Sequence, residues 1–286
     1  MPGTSIGVVA GSGVGPRLSA TGSPVCTPDW LALREPADAA ARATDLVDLL
    51  IPHLGDGRLV IRDLGCGTGS MGRWLAGRIP NPQHWILHDR DPEVLERAAL
   101  SLPADVTTET SPGDIADLDA AQLAGTSLVT ASALLDMMTF DEVEGLAEAC
   151  ATAGCPTLLT LSVVGTVLFS PADHQLDGTY AAAFNAHQRR AVGGRRLLGP
   201  DAVVTAARAF RRRGVRVSIA SSPWRLGPDE SALREEWLRG WLSAACEQRP
   251  ELRKAAGPYL RRRLENGDLR VVVGHADLLD IPVGAS

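Results

Sequence analysis

Apolar and polar positions come in blocks along this chain. Runs dense in Leu, Val, Ile and Trp at residues 59–64, 84–89, 127–131 and 156–164 read as strands. Between them stand stretches with an apolar stripe at helical spacing, beginning near Ser70, Pro92 and Asp141. Residues 106–115 add a short strand with its exit loop, and a helix over 200–213 leads to strands over 215–221 and 269–274. Strand and helix in alternation predict parallel pairing, because a helix returns the chain to the same end of the sheet. The expected fold class is therefore α/β: a doubly wound, mostly parallel, seven-stranded sheet with helical additions covering the site. Ahead of it, Pro36 suits a first helical position, and Ala39, Ala43, Leu46, Val47 and Leu50 fall on one stripe, which predicts an N-terminal helix.

The pattern is interrupted in three places. Residues 1–28 are rich in Gly, Ser, Thr and Pro and have no period, which predicts a mobile tail before a single domain over 29–286. Over 165–200 the pattern loosens, and a cover over the site is expected there. Over 225–266, Leu233, Trp237, Leu238, Trp241, Leu242, Ala245 and Cys246 share one helical face. Gly257-Pro258 is expected to break the helix that follows, and Asn266-Gly267 to end it. Trp237 and Trp241 at this spacing are read as core in preference to a substrate wall, and Trp224 and His275 as structural. The same Trp-bearing face leaves a homo-oligomer open.

The most informative stretch is LVIRDLGCGTGS at residues 59–70, an apolar strand running through a glycine turn into a helix. That order sets backbone N–H groups and a helix dipole beside a ligand. Gly65, Gly67 and Gly69 let the chain turn with positive φ and approach a ligand closely. The spacing is G-x-G-x-G, with Ser70 where a dinucleotide fingerprint carries its third glycine, which counts against a dehydrogenase. The next strand ends in Asp89, twenty positions after Gly69, where a carboxylate can accept from both hydroxyls of a ribose. Asp91 competes for that role, but it precedes Pro92 where a helix cap accounts for it. Asp114, after Gly113, is placed to accept from an adenine amine or simply to turn the chain.

Together these residues resemble the class I S-adenosylmethionine-dependent methyltransferase superfamily over about residues 36–165 and again over the late helix at 200–213, the strand after it and the final strand. The resemblance implies that Asp63, Gly65, Cys66, Gly67, Thr68 and Gly69 hold the methionine part of S-adenosyl-L-methionine, with S-adenosyl-L-homocysteine as product. It further implies that Asp89 binds the ribose, that Asp114 and Ile115 flank the adenine, and that Ala131 and Ser132 line the methyl end. Two positions depart from the pattern: Arg90 stands where an apolar residue is usual, with a guanidinium able to stack on adenine, and Ser127 replaces the usual acid opening the fourth strand.

Composition narrows the acceptor. A chain of 286 residues, 45% apolar, buries a core without metal or disulfide. The five cysteines are scattered without C-x-x-C spacing, so free thiols in a reducing compartment, and no metal, are expected. No apolar run nears the roughly 20 residues a bilayer requires, and no leader pattern opens the chain, so a cytoplasmic protein without a membrane partner is expected. A net charge of −6 disfavours nucleic acid, and the arginines over 189–216 and 261–263 read as solvated faces. A single lysine, Lys254, among the 28 cations suggests a GC-rich bacterial genome.

Methyl transfer from a sulfonium needs alignment and exclusion of water, and a base only where the acceptor must lose a proton. The superfamily's Asn/Asp-Pro-Pro-aromatic motif, used on flipped bases, is replaced by ASALLDMM at residues 131–138. The expected acceptor is a small metabolite, methylated at O, N or C. Candidate acceptor-side residues are His187 with Asn185, His174 with Asp177, and Asp136, each of which surface placement or helix capping also explains. The alternatives are an RNA or protein methyltransferase, marked by a basic surface joined to the site, and an inactive cofactor-binding regulator.

Overall fold

A computed structural model describes residues 17–18, 24–25 and 27–283. In chain order the elements are β1 (Arg17–Leu18), β2 (Pro24–Val25), α1 (Pro28–Ala41), α2 (Thr44–Leu50), β3 (Leu59–Leu64), α3 (Ser70–Ala76), β4 (Gln83–Asp89), α4 (Pro92–Ser101) and β5 (Thr107–Pro112). Then follow β6 (Leu128–Ser132), α5 (Phe140–Ala153), β7 (Thr157–Ser170), α6 (His174–Gln188), β8 (Ala191–Val192), β9 (Arg195–Arg196), α7 (Ala202–Arg212) and β10 (Arg216–Ser221). The chain closes with β11 (Trp224–Leu226), α8 (Ser231–Gln248), α9 (Arg253–Leu264) and β12 (Arg270–Ile281).

The main sheet runs β10-β12-β7-β6-β3-β4-β5, with β11 added on β12. β3, β4, β5, β6 and β7 pair in parallel, and β12 is antiparallel between β7 and β10. The expected seven-stranded doubly wound sheet is present. Leu146, Cys150, Val203 and Phe210 of α5 and α7 form the core on one face, and Leu46, Leu50, Trp74 and Leu75 of α2 and α3 on the other.

Several boundaries differ from the sequence pattern, each for a physical reason. Pro36 is inside α1, which starts earlier because the Thr27 side chain accepts from Trp30 N and Pro28 takes the first helical turn. Pro258 is likewise inside α9, not at a break; only one helical hydrogen bond is forfeited there, and buried Tyr259 holds the turn to the core. The last strand runs past residue 274 to Ile281 because its aspartates are buried: Asp277 accepts from Ala43 N (2.8 Å), Leu161 N (2.7 Å) and the Ser222 hydroxyl. Polar letters hid a core strand. Most of the expected 1–28 tail lies outside the described residues, but within it β1 and β2 pair antiparallel and Pro28 already belongs to α1.

The two intervals expected to cover the site pack mainly on each other. β7 continues beyond its pairing with β6 and forms, with β12 and β11, a ribbon carrying Phe169, Val271, Val273 and Trp224. Against it α6, α8 and α9 set Tyr180, Trp237, Trp241 and Tyr259, with Trp237 and Trp241 stacked at 5.6 Å between centroids. The Trp-bearing face is therefore internal core, filled by aromatic area with well-defined pair geometry.

Candidate active site

One cavity opens at the carboxyl ends of β3, β4 and β6, where the chain's winding direction reverses between β3 and β6. This is the crevice in which open α/β sheets bind ligands. Gly65, Gly67 and Gly69 have φ of 61°, 53° and 85°, so the loop folds through left-handed backbone that side chains resist. A Cβ at Gly67 would stand 3.3 Å from Leu31 of α1. The loop is pinned by Gly69 N to Cys66 O (2.9 Å) and Cys66 N to His88 O (3.0 Å).

Asp89 accepts from Gly67 N at 3.0 Å and Asp91 N at 3.1 Å, which aims its carboxylate at the loop. Asp91 caps α4 through Glu93 N, so the cap reading of that residue stands. Asp114 also caps, accepting from Ala116 N at 3.0 Å, while lining the cavity beside Ile115. Asp63, at 1% exposure, takes the Thr130 hydroxyl on Oδ1 at 2.7 Å, and its Oδ2 has no partner. Burial pushes the Asp63 carboxyl up to about 7, with Asp89 adding to the rise and Thr130 and Arg42 opposing it.

Of the expected cofactor residues, Asp63, Gly65, Cys66, Gly67, Thr68, Asp89, Arg90, Asp114, Ile115 and Ser132 line this single cavity. Gly69 and Ala131 do not; they are buried beneath it, in the loop and in β6. The residues present fit S-adenosylmethionine: an orphaned carboxylate oxygen for an ammonium, an acid at the end of β4 for ribose hydroxyls, and a glycine cradle whose left-handed backbone resists a Cβ. Among the described residues, no three of His, Cys, Asp and Glu group as a metal site.

The acceptor-side residues fare differently. His187 on α6 is outside the cavity, with Nε2 3.0 Å from Glu247 and Nδ1 3.2 Å from Arg190, and burial holds its pKa down. Its expected partner Asn185 instead donates to Gly165 O at 2.8 Å. His174 is the first residue of α6, and Asp177 is taken by Tyr259 (2.6 Å) and Arg263. Asp136 lies in a 3₁₀ turn, Leu135–Met137, flanked by the cavity-lining Leu134, Met137 and Met138. Burial pushes its carboxyl up to about 6, against the pull of Arg34.

Of the interval 165–200 expected to cover the site, Arg195 lines the cavity; the contribution of α1 was not foreseen. Leu31, Arg34 and Asp38 of α1 line it, and so do Glu142 and Arg195, paired at 2.7 Å. α1 is fastened by Glu35 to Arg73 (2.5 Å) and by Asp38, which pairs with Arg34 (2.8 Å) and accepts Trp224 Nε1 (2.9 Å). The only sequence signal for this role was the Arg34–Asp38 pair at i, i+4, a spacing that also fits any exposed helix. Trp224 and His275 pack with ring centroids 5.2 Å apart and planes tilted by 49°, in the structural place expected of them, and burial pushes the His275 pKa down to about 4.

The profile of the methyltransferase domain family matches residues 61–154, from β3 through α5. No curated protein matches the sequence. Among solved structures, the chain is similar to the cyclopropane synthase MmaA2 from Mycobacterium tuberculosis, with 12% identity and a TM-score of 0.50 over 88% of this chain and 94% of that one. It is also similar to a putative methyltransferase from Bacillus halodurans C-125, with 13% identity and a TM-score of 0.48 over 83% of this chain and 98% of that one. A methyltransferase from Geobacter sulfurreducens, in complex with S-adenosyl-L-homocysteine, shares 15% identity and a TM-score of 0.44 over 90% and 98%. At 12% identity the likeness to the cyclopropane synthase is one of fold.

Proposed function

We propose that this chain is a class I S-adenosylmethionine-dependent methyltransferase, a reading supported by the methyltransferase-domain match over residues 61–154, and that it methylates an O, N or C atom of a small-molecule metabolite. S-adenosylmethionine, when bound, supplies the electrophilic methyl group. In this reading Asp63 holds the ammonium, Asp89 the ribose, and Asp114 with Ile115 the adenine edge. Arg90, at the rim, is assigned to stacking.

The observation that carries the acceptor class is the cavity lining. Leu31 and Arg34 of α1 line the cavity together with the apolar Leu134, Met137 and Met138. A compact acceptor fits a cavity so lined, where excluded water favours in-line displacement. The charge of −6 gives a phosphate backbone little to hold, and no helix among the described residues is long and apolar enough to cross a membrane. Asp136 is the one expected acceptor-side residue left beside the cavity, and we assign it proton acceptance where the acceptor must lose a proton. The two histidines have no part in this proposal.

The test is calorimetric titration with S-adenosylmethionine, S-adenosylhomocysteine and NADH, on the native chain and on Asp89→Ala. Micromolar binding of the first two, weakened by the variant, is expected; NADH binding in their place sinks the reading. Labelled methyl transfer into a metabolite extract, rather than into RNA or protein fractions, then decides the acceptor class.

A further inference from the structure

At the junction of α1 and α2 sits a buried guanidinium that closes no short ion pair among the described residues. Arg42 is 3% exposed, and its Nη2 donates to Ser70 Oγ and to Ser132 Oγ, both at 3.1 Å. Its Nε and Nη1 have no partner. Asp38, the nearest acid along the helix, is occupied by Arg34 and Trp224, and Asp277 by two backbone amides and Ser222. The guanidinium is held over the Trp74 ring at 5.4 Å. A buried guanidinium with two unpartnered nitrogens is costly, and while Asp38, Asp63 and Asp277 act on it at longer range, a ligand anion beside it would add a closer counter-charge.

The geometry says where that counter-charge would sit. Ser70 and Ser132 both line the cavity, one at the start of α3 and the other at the end of β6. Each hydroxyl oxygen accepts from Arg42, which leaves its own proton free to donate. Two O–H donors backed by one guanidinium make an anion-accepting pair, and the unpartnered Oδ2 of Asp63 stands in the same cavity as a cation acceptor. We infer that Ser70 and Ser132, polarised by Arg42 as positioning residue, take the carboxylate of the cofactor's amino-acid end while Asp63 takes its ammonium. This inference rests on the S-adenosylmethionine reading of the site.

The test compares S-adenosylmethionine with decarboxylated S-adenosylmethionine, which keeps the ammonium and lacks only the carboxylate, by calorimetry. Arg42→Gln is expected to weaken S-adenosylmethionine about 10- to 100-fold, in line with loss of charge-assisted bonds, and the decarboxylated ligand less than about threefold. The Ser70→Ala/Ser132→Ala double variant narrows the gap between the ligands in the same way, and Arg42→Lys restores part of it. Equal weakening of both ligands by Arg42→Gln assigns the residue a purely structural role and overturns the inference. If Arg42→Gln does not fold, by circular dichroism and melting, the double serine variant decides: an unchanged ligand ratio overturns the inference. Failure of the native chain to bind either ligand would instead sink the methyltransferase reading itself.

Discussion

The glycine-loop half and the aromatic wing of this protein are built on opposite plans. Around β3 to β6, the groups that face the cavity stand at strand ends or within a few residues of them: Asp63, Gly65, Gly67, Asp89, Asp114 and Ser132. In the wing, the deciding contacts join distant segments, such as Tyr259 to Asp177, Arg263 to Asp177 and Tyr180 to Trp241. The first half carries its site on loops above the buried core of the sheet, and the second is an aromatic core none of whose buried residues line the cavity. Binding and stability should therefore be separable by mutation, with α1 as the part that touches both.

The sharpest break is Trp241→Ala. Trp241 is fully buried and packs with Phe169, Tyr180, Trp237 and Tyr259. Its loss should cost about 3–5 kcal/mol in denaturant unfolding, yet leave S-adenosylhomocysteine affinity of the folded protein within about twofold. A parallel collapse of affinity would show that the wing supports the site after all. Gly67→Val makes the converse cut. A β-branched residue resists φ of 53°, and its Cβ would press on Leu31. Cofactor affinity should fall by at least about 100-fold, roughly 2.7 kcal/mol, with the wing's near-ultraviolet aromatic signal unchanged.

Asp63→Asn sets the two properties against each other. The folded pKa of Asp63 lies near 7, above its unfolded value near 4. The folded form thus holds more protons between those values, and the free protein gains stability from this residue as pH falls from about 7 towards 4. Asn removes that dependence and should raise the melting temperature of the free protein at pH 8, while weakening S-adenosylhomocysteine about tenfold or more. In the native chain, affinity should drop by up to about tenfold between pH 8 and pH 6, because an ammonium needs the ionised carboxylate. Lower stability of Asp63→Asn at pH 8 would refute the buried-charge account. The smallest effect is expected of His187→Ala: less than about threefold in turnover, since the ring sits outside the cavity with Glu247 and Arg190. A loss of 100-fold, of the size general bases contribute, would return α6 to the catalytic machinery.

The parallel core strands were legible because burial on both faces leaves mainly apolar runs, interrupted in residues 59–64 only by Arg62 and Asp63. β12 was legible only as far as residue 274, because Asp277 and Asp280 interrupt its apolar letters beyond that point while lying buried in its strand. The helices of the wing were legible as helices, but their partners were not: an apolar face states only that something covers it. His187 and Asp136 show the same limit at the site, since residue type suggests chemistry and only position decides which group reaches the cavity.

By itself, then, the sequence determined the alternating sheet, the left-handed glycine turn and the acid ending β4, because each follows from backbone sterics and hydrogen-bond chemistry within a short segment. The tertiary structure alone decided that α1 lines the cavity, that the late insertions bury their aromatic faces in each other, and that Arg42 stands behind Ser70 and Ser132. Those outcomes depend on contacts between residues 28 to 234 positions apart, such as Arg42 with Ser70 and Ala43 with Asp277. No local pattern encodes which of many compatible apolar or charged partners will meet once the chain has closed.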